Sequence, residues 1–114
     1  MSIKIFHNPR CKHSRAGLEY LKGKTTDIEI RSYLTEPPTA EELKDVLLKL
    51  NKKPSEILRT QEEYFKLELK GKSFTNEEWI KILCENPKLI QRPIVIGKHK
   101  AVVANPPEEI NKII

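Results

Sequence analysis

The sequence predicts an α/β domain in which a small mixed β-sheet is flanked by helices. A helical insertion separates a β-α-β unit from a β-β-α unit. Three observations predict this. Short β-branched or alternating runs occur at residues 3–6, 27–33, 94–96 and 101–103. A single helix-length segment separates the first two, which makes that pair parallel with a right-handed crossover. Four turn residues separate the last two, which makes them an antiparallel hairpin. A chain of 114 residues is one domain's worth. Residues 1–34 and 88–114 are expected to form the sheet-bearing core, and about 39–86 the insertion.

The elements follow from local signals in chain order. Ile3 to Phe6 is a short buried strand, ended by His7-Asn8-Pro9, because Pro9 lacks a donor and holds Asn8 extended. A helix over 12–22 carries Leu18 and Leu21 on one face, with Gly23 in the left-handed position past its end. Ile28 and Ile30 alternate with Glu29 and Arg31 in the second strand. Thr39 and Glu42 form a capping box ahead of Leu43, Val46, Leu47 and Leu50 at helical spacing. Pro54 opens a short helical piece ending near Arg59, and 61–69 reads as helical. Thr75 and Glu78 make a second capping box, stapled by Phe74 and Trp79, for a helix that stops before Pro87. Ile94 to Ile96 and Ala101 to Val103 flank the turn Gly97-Lys98-His99-Lys100. Asn105 is expected to cap a last helix with Pro106 at its first position.

Composition excludes several classes. Hydrophobic residues are 38%, charged residues 32% and mean hydropathy is −0.55, which is neither disordered nor membranous. No apolar stretch approaches the roughly 20 residues of a membrane span, and no signal peptide is visible, so a reducing cytoplasm is the expected compartment. Two cysteines make no secreted disulfide framework. Two cysteines and three histidines without paired spacing predict no metal site. The net charge of +5 is concentrated: Lys4 to Lys24 holds six basic residues and one acid, and the remainder balances. A wide basic surface with interleaved aromatics is missing, so the charge points to a local anion site rather than to nucleic acid.

Cys11 lies inside that basic segment, after a strand and a proline turn, where a helix begins. Helix N-terminal amides stabilise an anion. Nearby His7, Arg10, Lys12, His13 and Arg15 add positive potential. Both effects lower a thiol pKa and favour the nucleophilic thiolate. In Cys11-Lys12-His13-Ser14 the serine takes the place of a resolving cysteine, so a redox cycle needs an external thiol. Gly17 stands six residues on, where a phosphatase-like loop would need arginine. Cys84 sits late on an amphipathic helix and reads as a core residue. Arg59 and Arg92 form an oxyanion clamp only if the fold gathers them with Cys11.

The segments His7-Asn8-Pro9-Arg10-Cys11-Lys12-His13-Ser14-Arg15, Tyr33-Leu34-Thr35-Glu36-Pro37-Pro38-Thr39, Leu58-Arg59-Thr60 and Leu89-Ile90-Gln91-Arg92-Pro93-Ile94-Val95 together resemble the glutaredoxin-coupled arsenate reductase family. The resemblance runs through essentially the whole chain. It implies a thioredoxin-like fold with a helical insertion. It also implies that Cys11 attacks arsenate, that Arg59 and Arg92 bind the oxyanion, and that His7 helps keep the thiolate. Ser14 and Arg15 fall in the loop around the nucleophile, and Pro93 matches a cis-proline closing the site. Glutathione would then attack the arsenic adduct and glutaredoxin complete the reduction, with no tightly bound cofactor. Nothing in the sequence forces more than a monomer, which is the expected state. One position departs: Asn105 stands where the family carries a third arginine, which removes one charge from the anion site. Lys98 or Lys100 in the hairpin are the candidate replacements. The alternatives are a reductase of another thiol-linked substrate, such as a glutathione mixed disulfide, and a redox-responsive regulator resembling the Spx-type proteins that bind RNA polymerase.

Overall fold

The computed structural model describes residues 2–114. Its chain folds as two units, one made of the residues up to Glu36 with Arg92–Ile114, the other of Pro37–Gln91.

The first unit is built on a four-stranded sheet. Strands β1 (Ile3–Phe6), β2 (Ile28–Arg31), β3 (Ile94–Ile96) and β4 (Ala101–Val103) lie in the order β2-β1-β3-β4. β1 runs parallel to β2, with Ile3 opposite Ile28. β3 is antiparallel to β1, with Phe6 opposite Ile94 and Lys4 opposite Ile96. β4 returns beside β3, with Ile96 opposite Ala101. Helix α1 (Lys12–Lys22) connects β1 to β2. Ile3, Ile5 and Val95 from the sheet, Leu18 and Leu21 from α1, and Ala104 and Ile110 beyond β4 make one buried cluster. Period-two alternation turns Phe6 to the opposite face, where its ring stacks with Tyr33 at 6.0 Å. β2 is an edge strand, and so Ile30, one of its two expected inward residues, stays half exposed.

Three local expectations in this unit are corrected. Gly23 is right-handed (φ −74°, ψ −14°), because the chain winds on past α1. The N–H groups of Gly23, Lys24 and Thr25 bond back to Glu19, Tyr20 and Leu21 carbonyls, so no left-handed cap is needed. Asn105 does not cap the last helix. The Asn105–Pro106 peptide is cis, and a 3-10 helix over Pro107–Lys112 starts with Pro106 as its cap and Pro107 in the first turn. The Asn105 N–H turns instead to the Val103 carbonyl at 2.9 Å.

Gly17 holds α1 against the start of β3. A Cβ on it would stand 2.7 Å from Cγ of Pro93 and 3.6 Å from the Ala104 carbonyl oxygen. Gly→Ala inside a helix ordinarily gains about 1 kcal/mol. Overpacking against a buried ring costs about 1–3 kcal/mol and reverses the sign. Gly17→Ala is therefore expected to lower the melting temperature by several degrees. An unchanged or raised midpoint on thermal denaturation would show that the Pro93 ring yields.

The second unit is helical. Helix α2 (Ala40–Leu50) opens with the expected box: the Glu42 N–H donates to Thr39 Oγ1 at 3.1 Å, and Thr39 N–H to Glu42 Oε1 at 3.0 Å. Helix α3 (Asn76–Glu85) repeats the device with Thr75 and Glu78. Phe74 meets Trp79 edge-on at 4.8 Å, completing the staple. The expected helix over 61–69 is instead mainly a π-helical turn at Phe65–Leu69. The piece opened by Pro54 is a 3-10 turn that ends at Ile57. Leu58 then bridges Ile90, which fixes Arg59 through its N–H to the Leu89 carbonyl at 2.7 Å.

Candidate active site

The sheet register places the site within the first unit. β1 ends at Phe6, β3 begins at Ile94 opposite it, and β4 ends at Val103 opposite Ile94. Three loops therefore meet at one end of the sheet: the His7–Cys11 turn, the Arg92-Pro93 entry to β3, and Ala104-Asn105. The Ala104 N–H donates to the Pro93 carbonyl at 2.8 Å, tying two of them together. Arg92–Pro93 is a cis peptide, as expected, and Pro93 is buried against Gly17.

The same register corrects the role offered to Lys98 and Lys100. They sit in the turn beyond Ile96, at the end of β3 that pairs with Lys4 near the start of β1. A three-residue strand separates that turn from the Cys11 end, about 10 Å of extended chain. Neither lysine supplies the charge that Asn105 lacks. Asn105 itself is exposed and at the correct end.

Cys11 occupies the cap position of α1 with extended backbone, and its residue is 9% exposed. Its thiol makes no regular cap bond. What surrounds the sulfur acts on the anion. Burial alone would push the thiol up. The hydrogen bond from Arg92, the backbone N–H groups of Ser14 and His13, and the Arg92 charge outweigh burial and bring it below an ordinary thiol. Burial likewise works against the Arg92 charge, but Cys11 and the Tyr33 hydroxyl hold the guanidinium more firmly protonated. Among the described residues, Arg92 Nε is shut off from water with no hydrogen-bond partner.

A buried polar network shapes the turn beneath the thiol. His7, Asn8 and Ser14 are all buried. The Ser14 hydroxyl accepts from the Asn8 N–H at 2.9 Å and lies 2.7 Å from His7 Nδ1. Burial, then the charges of Lys22 and Arg15, lower the His7 imidazole, which is thus neutral near pH 7. In the tautomer protonated on Nε2, Ser14 donates to Nδ1. The hydrogen bond of His7 thus goes to Ser14. Asn8 Oδ1 accepts from the Arg10 N–H at 3.0 Å, and the Asn8 carbonyl accepts from the Cys11 N–H at 3.0 Å. Arg15 Nη1 closes the turn on the Pro9 carbonyl at 2.9 Å. Arg10 is exposed and contributes its backbone to this turn.

Arg59 belongs to the second unit. Its guanidinium engages Glu62 Oε2 through Nη2 at 3.2 Å and Nε at 3.3 Å, with 18% of its side chain exposed. Cys84, also in that unit, is a free thiol whose pKa is raised by burial and then by Glu42 and Glu85, the opposite of an activated cysteine. Among the described residues no cluster of His, Cys, Asp and Glu has the makings of a metal site. No helix there is long and apolar enough to cross a membrane.

Sequence reasoning missed two participants. Asn8 carries three of the turn's hydrogen bonds, and the signal for it was present, since Asn before Pro favours a side-chain-to-backbone turn. Tyr33 had no local signal, because its importance comes from a neighbour distant in sequence.

Residues 6–113 match the ArsC family. YfgD of Escherichia coli (strain K12) is 39% identical over 114 residues, covering 98% of this chain and 96% of that one. An arsenate reductase of Neisseria meningitidis serogroup A is 37% identical, covering 98% of this chain and 97% of that one. Among solved structures, an arsenate reductase from Vibrio cholerae has a TM-score of 0.92 at 34% identity, covering 100% of this chain and 98% of that one. The mixed sheet flanked by helices is thus the thioredoxin-like architecture of these relatives. By sequence and by fold, the chain belongs to the ArsC family.

Proposed function

We propose that this protein is a thiol-dependent arsenate reductase with Cys11 as its nucleophile. The observation that carries the reading is a cysteine held toward thiolate at a helix start, with the Arg92 guanidinium and the His13 and Ser14 N–H groups around its sulfur. A nucleophilic sulfur beside a guanidinium suits a small oxyanion electrophile.

In the proposed sequence, Cys11 Sγ displaces one arsenate oxygen as water and forms a sulfur–arsenic(V) bond. Arg92 offsets the charge on the remaining oxygens. A glutathione thiol then displaces a second oxygen. Two electrons pass from the sulfurs to arsenic, arsenic(III) leaves as arsenite, and the sulfurs remain as a mixed disulfide that glutaredoxin reduces. Buried Ser14, bonded to His7 and Asn8, stands where a resolving cysteine would be, which supports dependence on an outside thiol. Arg59 is proposed as an oxyanion ligand on the family resemblance alone, and Asn105 as a weaker, uncharged substitute for the third arginine. The protein is proposed to act as a monomer in a reducing compartment, consistent with two free thiols.

The test is arsenate reduction by the purified protein. Turnover is expected with glutathione and glutaredoxin together and not when either is omitted. No arsenite formed in the complete mixture would overturn the reading.

A further inference from the structure

We propose that Asn8 is a positioning residue: its side-chain carbonyl holds the turn that delivers Cys11 to the start of α1 and so aims the sulfur into the helix terminus. The consequence for arsenate turnover rests on the arsenate reductase reading, and the consequence for the sulfur does not.

Asn8 is buried, at 6% exposure. Only Pro9 and Arg10 separate it from Cys11. Its carbonyl accepts from the Cys11 N–H at 3.0 Å, which makes Asn8–Cys11 a β-turn with Asn first and Pro second. Its N–H donates to Ser14 Oγ at 2.9 Å, which pins this β-turn to the beginning of α1. Those two bonds use the main chain, which every residue type but proline supplies in full. The side chain adds the third: Oδ1 accepts from the Arg10 N–H at 3.0 Å.

That third bond acts on one peptide plane. The Arg10 N–H and the Pro9 carbonyl belong to the same peptide group, and Arg15 Nη1 donates to that carbonyl at 2.9 Å. The plane is thus gripped on both sides, by Asn8 and by Arg15. Proline fixes its own φ but leaves its ψ, and with it this plane, free to turn. Type I and type II turns differ by a flip of this plane, and type II needs φ > 0 at Arg10. Among the described residues other than glycine, Asn51 has a positive φ and Arg10 does not. The observed plane is the one in which an Asn side chain at the first position bonds the backbone two residues on. Cys11 follows at once with extended backbone (φ −95°, ψ 124°), and its carbonyl accepts from the Arg15 N–H at 3.0 Å. A cap residue set this way turns its side chain toward the N–H groups two and three residues on, here His13 and Ser14. Those two N–H groups are among the contacts that favour the anionic sulfur. Slack in the Pro9–Arg10 plane reaches Cys11 one residue later and turns the sulfur away from them.

The test uses a Cys84→Ser background, in which Cys11 is the sole thiol. Alkylation of Cys11 by iodoacetamide is followed against pH with Asn8 intact, with Asn8→Ala and with Asn8→Ser. Asn8→Ala is expected to move the midpoint of the rate–pH curve to higher pH and to slow alkylation on its rising limb about two- to tenfold. Asn8→Ser should fall between the two, because a serine hydroxyl closes the same turn more weakly. The arsenate kcat of Asn8→Ala should fall with the alkylation rate while KM changes less. A merely structural role would lower the melting temperature and leave the midpoint in place. An Asn8→Ala midpoint that is unmoved or moved down, or an Asn8→Ser curve no better than that of Asn8→Ala, would overturn the proposal. If wild type fails to reduce arsenate, the functional reading falls while alkylation still decides the role of Asn8. Should Asn8→Ala not fold, Asn8→Ser decides alone: a midpoint above wild type supports the proposal, and one at or below wild type overturns it.

Discussion

Cys11→Ser is expected to reduce arsenate turnover by about 10⁴-fold or more while leaving the fold intact. The serine hydroxyl fits the space of the thiol and the same N–H groups surround it. An alcohol, however, does not ionise near neutral pH, so the helix start and Arg92 have no anion to stabilise. The wild-type kcat/KM should rise with pH as Cys11 ionises and level off below the range of an ordinary thiol, about 8.5. Stability carries a related signature. The folded pKa of Cys11 is depressed, so its contribution is full above the ordinary thiol value and is lost as pH falls through the folded value. Cys11→Ser removes that dependence and should flatten this part of the stability–pH curve. His7 acts lower: its folded pKa lies below 6.5, so the unfolded chain binds that proton first and stability drops as pH falls beneath 6.5. The serine variant keeps this acid limb. Equal turnover in the two proteins would remove Cys11 as the nucleophile.

What could be read from the sequence was what depends on near neighbours. Both capping boxes and the Phe74–Trp79 staple follow from residues three to five apart, and the structure has them. The β-α-β parallel pair and the terminal hairpin follow from connection length. The activated thiol also had local causes, a helix start and the amides after it. Misreadings arose where a distant partner or a subtle continuation decided. Gly23 was free to follow either hand, and further turn bonds chose the right-handed one. Asn105-Pro106 had a capping composition, yet β4 holds the Asn105 N–H and the helix starts a residue later. Lys98 and Lys100 adjoin β3 in sequence but lie at the far end of the sheet from the Cys11 turn, which only the β1–β3 register reveals. Gly17 marks the absence of a phosphatase-type arginine, as read, and the fold adds a second role, since its lack of a side chain admits Pro93. Nothing near Tyr33 in sequence announces Arg92.

Arg92→Lys should separate charge from geometry at the anion site. Lysine keeps the positive charge but loses the planar fork that addresses two acceptors at once. Arg92 serves two anions in this reading, the Cys11 sulfur and the oxyanion. A lysine ammonium on a flexible stem meets one of them at a time. Losing a hydrogen bond to a charged group costs about 1.5–3 kcal/mol, which is roughly ten- to a hundredfold in affinity. The arsenate KM is therefore expected to rise by that factor. The Cys11 thiol should titrate at higher pH than in wild type, because the guanidinium that favours its thiolate is replaced by a mobile ammonium. With Asn105 uncharged, the site has less reserve than one carrying a third arginine, so the loss should fall in the upper part of that range. An unchanged KM together with an unchanged thiol titration would mean that Arg92 acts as a bare charge. Arsenate binding would then have to depend on other donors, with Arg59 the next to substitute.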